Sequence, residues 1–235
     1  MDIGKVDLQV KAREKLKDIQ HRTGGILYSG HSTLVKGDIY ILGFNPGGAP
    51  EDGRPISESI DTMLTNDCNA YLCENWLTSD QGPDAPYSRA PLQQRLKWIA
   101  DQLGYPLQTI CASNLIFVKS RRAGEVPRDL ADICWPVHEA ILGIVRPKLI
   151  LAFGNSKTSP FNYLQTPFDC REAVVDHQAA GHGNWKLKRF RAVVKGSPLV
   201  VAGLPHLSRY SPCGKEYVAD WLRESLEGSF ETKAG

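Results

Sequence analysis

A chain of 235 residues with 42% hydrophobic side chains, 23% charged side chains and a formal charge of +2 has material for one substantial core and no strong net charge. No apolar stretch approaches the length of a membrane span, and no basic-then-apolar segment opens the chain, so neither a membrane nor a secreted protein is expected. The six cysteines, Cys68, Cys73, Cys111, Cys134, Cys170 and Cys213, show no Cys-x-x-Cys spacing, which predicts reduced thiols in a cytoplasmic protein rather than a disulfide framework or a zinc ribbon.

In chain order, residues 6–20 intersperse Val6, Leu8, Val10, Leu16 and Ile19 with charge, as a packing helix closed by Thr23-Gly24-Gly25 does. Residues 39–44 are an apolar run of strand length that enters Asn45-Pro46-Gly47-Gly48; alone, this is a strand ending in a turn. A short helix over 56–64 follows. Residues 67–86 then form a long irregular segment holding Tyr71 and Trp76, and loops of that length are usually functional or mobile. Residues 91–103 place Leu92, Leu96, Ile99 and Leu103 on one helical face, with Gly104 as the stop.

The second strand, 109–118, carries Ser113-Asn114 inside an apolar run. A basic loop, 119–124, leads to a helix over about 128–145 and a third strand over 147–153, which ends at Gly154-Asn155. Residues 161–180 have no clear period. Residues 185–195 alternate apolar and basic side chains as a strand with one wet, cationic face would. The last core strand, 199–204, enters Pro205-His206-Leu207-Ser208-Arg209-Tyr210, and a helix over 215–226 precedes a flexible tail at 228–235.

Four apolar strands separated by helices predict one α/β domain spanning 1–235, a three-layer α/β/α sandwich around a mainly parallel four-stranded sheet. Ligands of such sheets bind beyond the carboxyl ends of the strands. Asn45, Asn114 and His206 lie at or near such ends. An amide orients water but is no strong base; an imidazole donates a hydrogen bond to charge developing on a leaving group. Ser208 on a tight loop suits a phosphate, and Tyr210 suits an amphipathic wedge, the two devices by which base-flipping enzymes expose a target. Lys119, Arg121, Arg122, Lys186, Lys188, Arg189, Arg191 and Arg209, with Trp185 and Phe190 interleaved, would supply backbone electrostatics. Residues 186–191 read equally well as a charged outer strand that discourages edge pairing.

Taken together, Gly43-Phe44-Asn45-Pro46-Gly47, Ser113-Asn114, residues 148–154 and residues 206–211 resemble the uracil-DNA glycosylase superfamily in order and approximate spacing, over 38–212. Glu51-Asp52-Gly53-Arg54-Pro55 and Cys134-Trp135-Pro136 are similar to the members that carry an iron–sulfur cluster. The resemblance implies that Asn45 orients or activates the hydrolytic water, that His206 stabilises the departing base anion, and that Asn114 reads the polar edge of the flipped base. Gly43, Phe44, Gly47 and Ile56 would line the base site. Ser208 would pinch phosphate, and Tyr210 falls where the wedge residue sits; Arg209, Lys119, Arg121 and Arg122 complete the DNA contacts.

The departures narrow the expectation. Cys134 alone matches a cluster position and Ser120 replaces another, so no metal and no cofactor are expected. Ile56 stands where the stacking aromatic belongs. Gly47 stands where the strictest uracil enzymes carry a tyrosine against a 5-methyl group, which leaves that side open. The implied activity is a monofunctional DNA glycosylase working as a monomer on single- or double-stranded DNA. It would excise uracil or a C5-modified pyrimidine and leave an abasic site, in repair or in defence against phage with modified DNA. No lysine occupies a motif position suited to strand cleavage. A non-catalytic DNA-binding module on the same fold is the competing class. A nucleotide-binding α/β protein is disfavoured by the missing Gly-Lys-Ser/Thr phosphate loop.

Overall fold

A computed structural model describes residues 3–77, 87–170, 175–194 and 196–229. The elements follow the chain as α1 (Ile3–Lys15), β1 (Ile39–Gly43), α2 (Ile56–Thr62), α3 (Ala70–Cys73), α4 (Pro91–Leu103), β2 (Cys111–Asn114) and α5 (Leu130–Val145). Then come β3 (Leu149–Phe153), α6 (Pro160–Leu164), β4 (Asp176–Ala179), β5 (Lys186–Val194), β6 (Ser197–Leu204) and α7 (Glu216–Glu227).

One mixed sheet runs in the order β2-β1-β3-β6-β5-β4. The first four strands are mutually parallel, and β5 and β4 extend the sheet antiparallel. β1, β2 and β3 are buried at every position, as strands covered on both faces must be. Their side chains alternate between two cores. Tyr40, Leu42, Ile150, Ala152 and Val201 join Leu8, Ala12, Val137 and Ile141 from α1 and α5. Ile39, Ile41, Leu149, Leu151 and Ala202 join Leu96, Ile99, Val218 and Leu222 from α4 and α7. Each fully buried leucine or isoleucine contributes about 1.5–3 kcal/mol.

The four-stranded expectation is corrected to six. The alternating segment 185–195, expected to keep one face wet and cationic, buries Phe190 and Ala192 on one face and Leu187 and Arg189 on the other, so it joins the sheet as β5; β4 arises within the aperiodic 161–180 segment. β2 is shorter than residues 109–118, because β1 ends at Gly43 and residues 115–119 pair instead with the loops. Leu115 and Ile116 N–H donate to the Gly43 and Phe44 carbonyls, Gly25 N–H to Phe117 and Lys119 N–H to Thr23. α1 ends earlier than expected, at Lys15. α4 keeps its sequence bounds: Pro91 opens it and Gly104, at φ 77°, closes it.

The reduced-thiol expectation fails at Cys68 and Cys73. These form a disulfide across α3, whose single turn brings their Cα atoms within 6.1 Å, a distance that disulfides span. Cys111, Cys134, Cys170 and Cys213 are free thiols. The tail expectation is corrected at its start: Gly228 at φ 68° caps α7, and Arg191 donates to its carbonyl at 2.9 Å. Residues 230–235 of that tail, and residues 78–86 of the irregular segment, lie outside the described residues. Among the described residues no helix is long and apolar enough to cross a membrane.

His138 of α5 is fully buried. Its Nε2–H donates to the Leu115 carbonyl at 3.1 Å, which leaves Nδ1 to accept from the Tyr40 hydroxyl at 2.9 Å. Burial lowers its pKa from 6.5 to about 4. The unfolded chain takes up this proton near 6.5 and the folded chain holds off until about 4, so between those values the unfolded state binds more protons. Stability therefore falls as pH drops through the interval, by about 3 kcal/mol in all from this group. Urea midpoints taken at neutral pH and near pH 4 should show the loss. His138→Gln should be less stable than wild type at neutral pH yet lose less on acidification.

Candidate active site at the carboxyl ends of the parallel strands

Because β2, β1, β3 and β6 run parallel and adjacent, their carboxyl ends form one rim, and four residues meet there. Gly43 pairs in register with Asn114. A Cβ at position 43 would lie 2.1 Å from Asn114 Oδ1 and 2.5 Å from the Phe153 ring, so glycine is required for these side chains to close over the strand end. Phe153 in turn meets the His206 ring edge to face, with centroids 5.6 Å apart. Asn114 is 4% exposed, yet no hydrogen bond is made by its amide among the described residues. Buried amides almost always find a partner, so this one is available to a ligand at the rim.

Asn45 sits just past β1, half-buried. Its Nδ2 donates to the Pro46 carbonyl at 2.9 Å, the Val118 carbonyl at 3.2 Å and Ser120 Oγ at 2.9 Å. Ser120 Oγ spends its own proton on the Arg122 carbonyl at 2.9 Å. Two carbonyls and a committed hydroxyl accept nothing but N–H here, which fixes the amide orientation. Oδ1 is left as an acceptor without a partner among the described residues. The loop is stitched further by Gly48 N–H to the Ser120 carbonyl and Ser120 N–H to the Pro46 carbonyl.

His206 opens the loop after β6. Its Nδ1 accepts the Ser208 backbone N–H at 3.2 Å and lies 2.7 Å from Ser208 Oγ. An Nδ1 that accepts an N–H must leave the proton of the neutral ring on Nε2, so Nε2–H is the free donor. Although the residue retains solvent contact, partial desolvation and the Arg209 charge lower its pKa. At neutral pH the ring is an uncharged donor.

The remaining expected site residues divide. Phe44 is half-buried and Gly47 exposed at the rim; a Cβ at Gly47 would meet nothing within 4 Å. Ser208, Arg209 and Arg122 are exposed. Ile56 is corrected: it is fully buried in the core with α1 and offers no surface to a base. Tyr210 is corrected too. Fully buried, it donates to the Ala180 carbonyl at 2.8 Å under the Lys215 ammonium, so it cannot serve as a wedge. Lys119 is committed to the loop after Asn45, where it donates to the Asp52 carbonyl and covers Gly48 and Gly53. Arg121 pairs with Glu51 at 2.8 Å on the surface, which offsets its charge for an anionic partner. Arg189 is buried between Asp176 and Glu224, so its charge is spent inside the molecule.

The residues present do not fit an iron–sulfur cluster. Cys134 is fully buried in the core, burial raises its thiol pKa to about 12, and Ser120 is occupied with Asn45. Among the described residues no three histidine, cysteine or acidic side chains group together as metal ligands. Three residues that support the rim have no role in the sequence reading: Ser120 aligns Asn45, Phe153 bridges Gly43 to His206, and Asn155 ties β3 to β6. Each has a signal in the sequence: Phe153 lies in the 148–154 stretch, Ser120 stands at a cluster position, and Asn155 is a polar residue two positions past the end of a core strand. Two depressions lie at the opposite end of the sheet, of about 240 Å³ beside Arg146, Pro147 and Ser197 and about 380 Å³ beside Tyr105 and Leu107. They contain none of the rim residues. No protein-family model and no curated protein matches the chain.

Proposed function

We propose that the chain is a monofunctional DNA glycosylase that hydrolyses the N-glycosidic bond of a flipped pyrimidine nucleotide. The observation that carries this reading is the meeting of Asn114's unpaired, nearly buried amide with His206 across Gly43 and Phe153. Hydrolysis of this bond needs three things at one place: a reader for the base edge, a donor where negative charge grows on the departing base, and an acceptor to orient water. Asn114, His206 Nε2–H and Asn45 Oδ1 supply them in that order. A neutral imidazole donor fixed in advance costs no reorganisation as charge develops. With Ile56 withdrawn into the core, Phe44 supplies the apolar surface against the base. The domain in this reading is a three-layer α/β/α sandwich whose parallel four-stranded centre carries the site, and it needs no cofactor.

Gly47 permits a base with a C5 substituent, since nothing occupies the space a side chain would take. Oligonucleotides containing uracil or C5-substituted pyrimidines, together with genomic DNA from phage with modified bases, should be scored for abasic sites. Gly47→Tyr should lose release of the C5-substituted bases while retaining release of uracil. A DNA-binding module without chemistry is the second reading, favoured by the burial of Ile56. It predicts salt-dependent binding and no abasic product on any substrate; that outcome would overturn the glycosylase.

A further inference from the structure

The sheet returns to the rim once more. β5 runs antiparallel to β6, with Lys188 opposite Gly203, so the turn between β4 and β5 stands at the same edge as His206. That turn is firmly built. Ala180 N–H donates to the Trp185 carbonyl at 2.8 Å and Trp185 N–H to the His182 carbonyl at 3.1 Å. Gly181 and Gly183 take φ values of 66° and 51°, and a Cβ at Gly181 would strike the Tyr217 hydroxyl at 2.1 Å. Asn155 Nδ2 fastens the Lys186 carbonyl to that of Gly203, at 2.7 and 2.8 Å. Buried Tyr210 ties the turn to the His206 loop, through Ala180 on one side and its own N–H to the His206 carbonyl on the other.

On this support sits an aromatic pair, Trp185 and His182, with ring centroids 4.5 Å apart. Residues 181–186 are all exposed. Lys186 is exposed at the end of this turn and Arg209 on the His206 loop; His177 stands opposite Lys188 across β4 and β5, and the Lys188 ammonium donates to the Asn155 carbonyl at 3.0 Å. Exposed Glu216 precedes Tyr217, whose hydroxyl packs against Gly181. We infer that Trp185, backed by His182, is a stacking platform for an unpaired base beside the flipped nucleotide, so that the preferred substrate is single-stranded or locally opened DNA. The inference rests on the glycosylase reading of the rim. Trp185 is 38% exposed and its ring is braced at an angle of 54° by both His182 and Tyr210, the latter 6.5 Å away; a wedge must stand clear of the surface, whereas a braced ring offers only its outer face. Such a face stacks any base, and cations beside it hold the phosphates.

The test is binding of labelled oligonucleotides of ordinary sequence, single-stranded and as the matched duplex, kept separate from base release. Wild type should bind the single strand more tightly than the duplex. Trp185→Ala should lose about tenfold or more on the single strand with little change on the duplex, while Trp185→Phe keeps most of the affinity. Tryptophan emission should be quenched on single-strand binding in wild type, and that quenching should vanish in Trp185→Phe, which reports stacking without relying on the fold of the alanine variant. Unchanged affinity in Trp185→Ala, equal losses on both substrates, undiminished quenching in Trp185→Phe, or no single-strand binding by wild type would each overturn the platform. Loss of the platform beside intact base release sinks this inference alone; stacking without base release on any substrate sinks the glycosylase instead.

Discussion

Replacing His206 by alanine is expected to lower base release by about 10²–10³-fold, the usual cost of removing one donor aimed at developing charge. Two features argue for a loss in the chemical step rather than in folding. The ring is exposed, and the bonds it makes through Nδ1 stay within its own loop. Single-turnover release on saturating substrate should fall while affinity for the uncleaved oligonucleotide changes little. His206→Asn, which restores an N–H donor but not its reach, should recover part of the rate. Asn45→Ala should fall comparably and also loosen the loop that Ser120 and Asn45 stitch together. If both alanine variants release base at the wild-type rate, the assigned chemistry is wrong. The pH profile adds a sign: the rate should fall on the acid side, where a proton on His206 Nδ1 ends its acceptance of the Ser208 N–H that aims the ring, at a pH below the ordinary histidine range because its pKa is lowered.

The largest stability effect is expected at Arg189. Its guanidinium contacts Asp176 at 2.7 Å, Glu224 at 3.2 Å, the Trp221 carbonyl and Ser225 Oγ at 3.1 Å, and lies 4.9 Å from the Trp221 ring centre. This one side chain joins both antiparallel strands to α7. Arg189→Met removes the partner of a largely buried carboxylate, and breaking such a pair from one side costs about 3–5 kcal/mol. Urea unfolding should show that loss, and pairing the change with Asp176→Leu should recover part of it. A loss below about 1 kcal/mol, the level of a surface ion pair, would mean that Asp176 finds water instead.

Much of this architecture is legible in the residues because parallel strands buried on both faces leave long apolar runs. The segments around Ile41, Leu151 and Val201 announce themselves, as does α4 with its Pro91 and Gly104 ends. The antiparallel extension is harder to read. β4 has one residue in two exposed and lies in a stretch without period, and Arg189 looks like a surface cation until two acids and a helix enclose it. The site divides likewise. Strand-end polar residues such as Asn45, Asn114 and His206 stand out because an apolar run gives way to one amide or imidazole. Burial does not stand out: Ile56 and Tyr210 occupy motif positions, but only tertiary packing decides which way a side chain faces. The Cys68–Cys73 bond was hidden for the same reason, since one turn of helix closes a spacing that no linear motif flags.

The rim also has a consequence for the order in which the molecule can come together. Its parts are drawn from Gly43, Asn114, Phe153 and His206, each delivered by a different strand, with the Trp185 turn inserted between the last two. None of these contacts is local in sequence, so a loop of some tens of residues or more must close before each of them forms. A nascent chain that has not yet reached β6 lacks the strand that joins β3 to β5, and it lacks His206, the donor of the rim. The chemistry proposed for this protein would therefore appear late and all at once during folding, and refolding followed by base release should lag behind refolding followed by helix content.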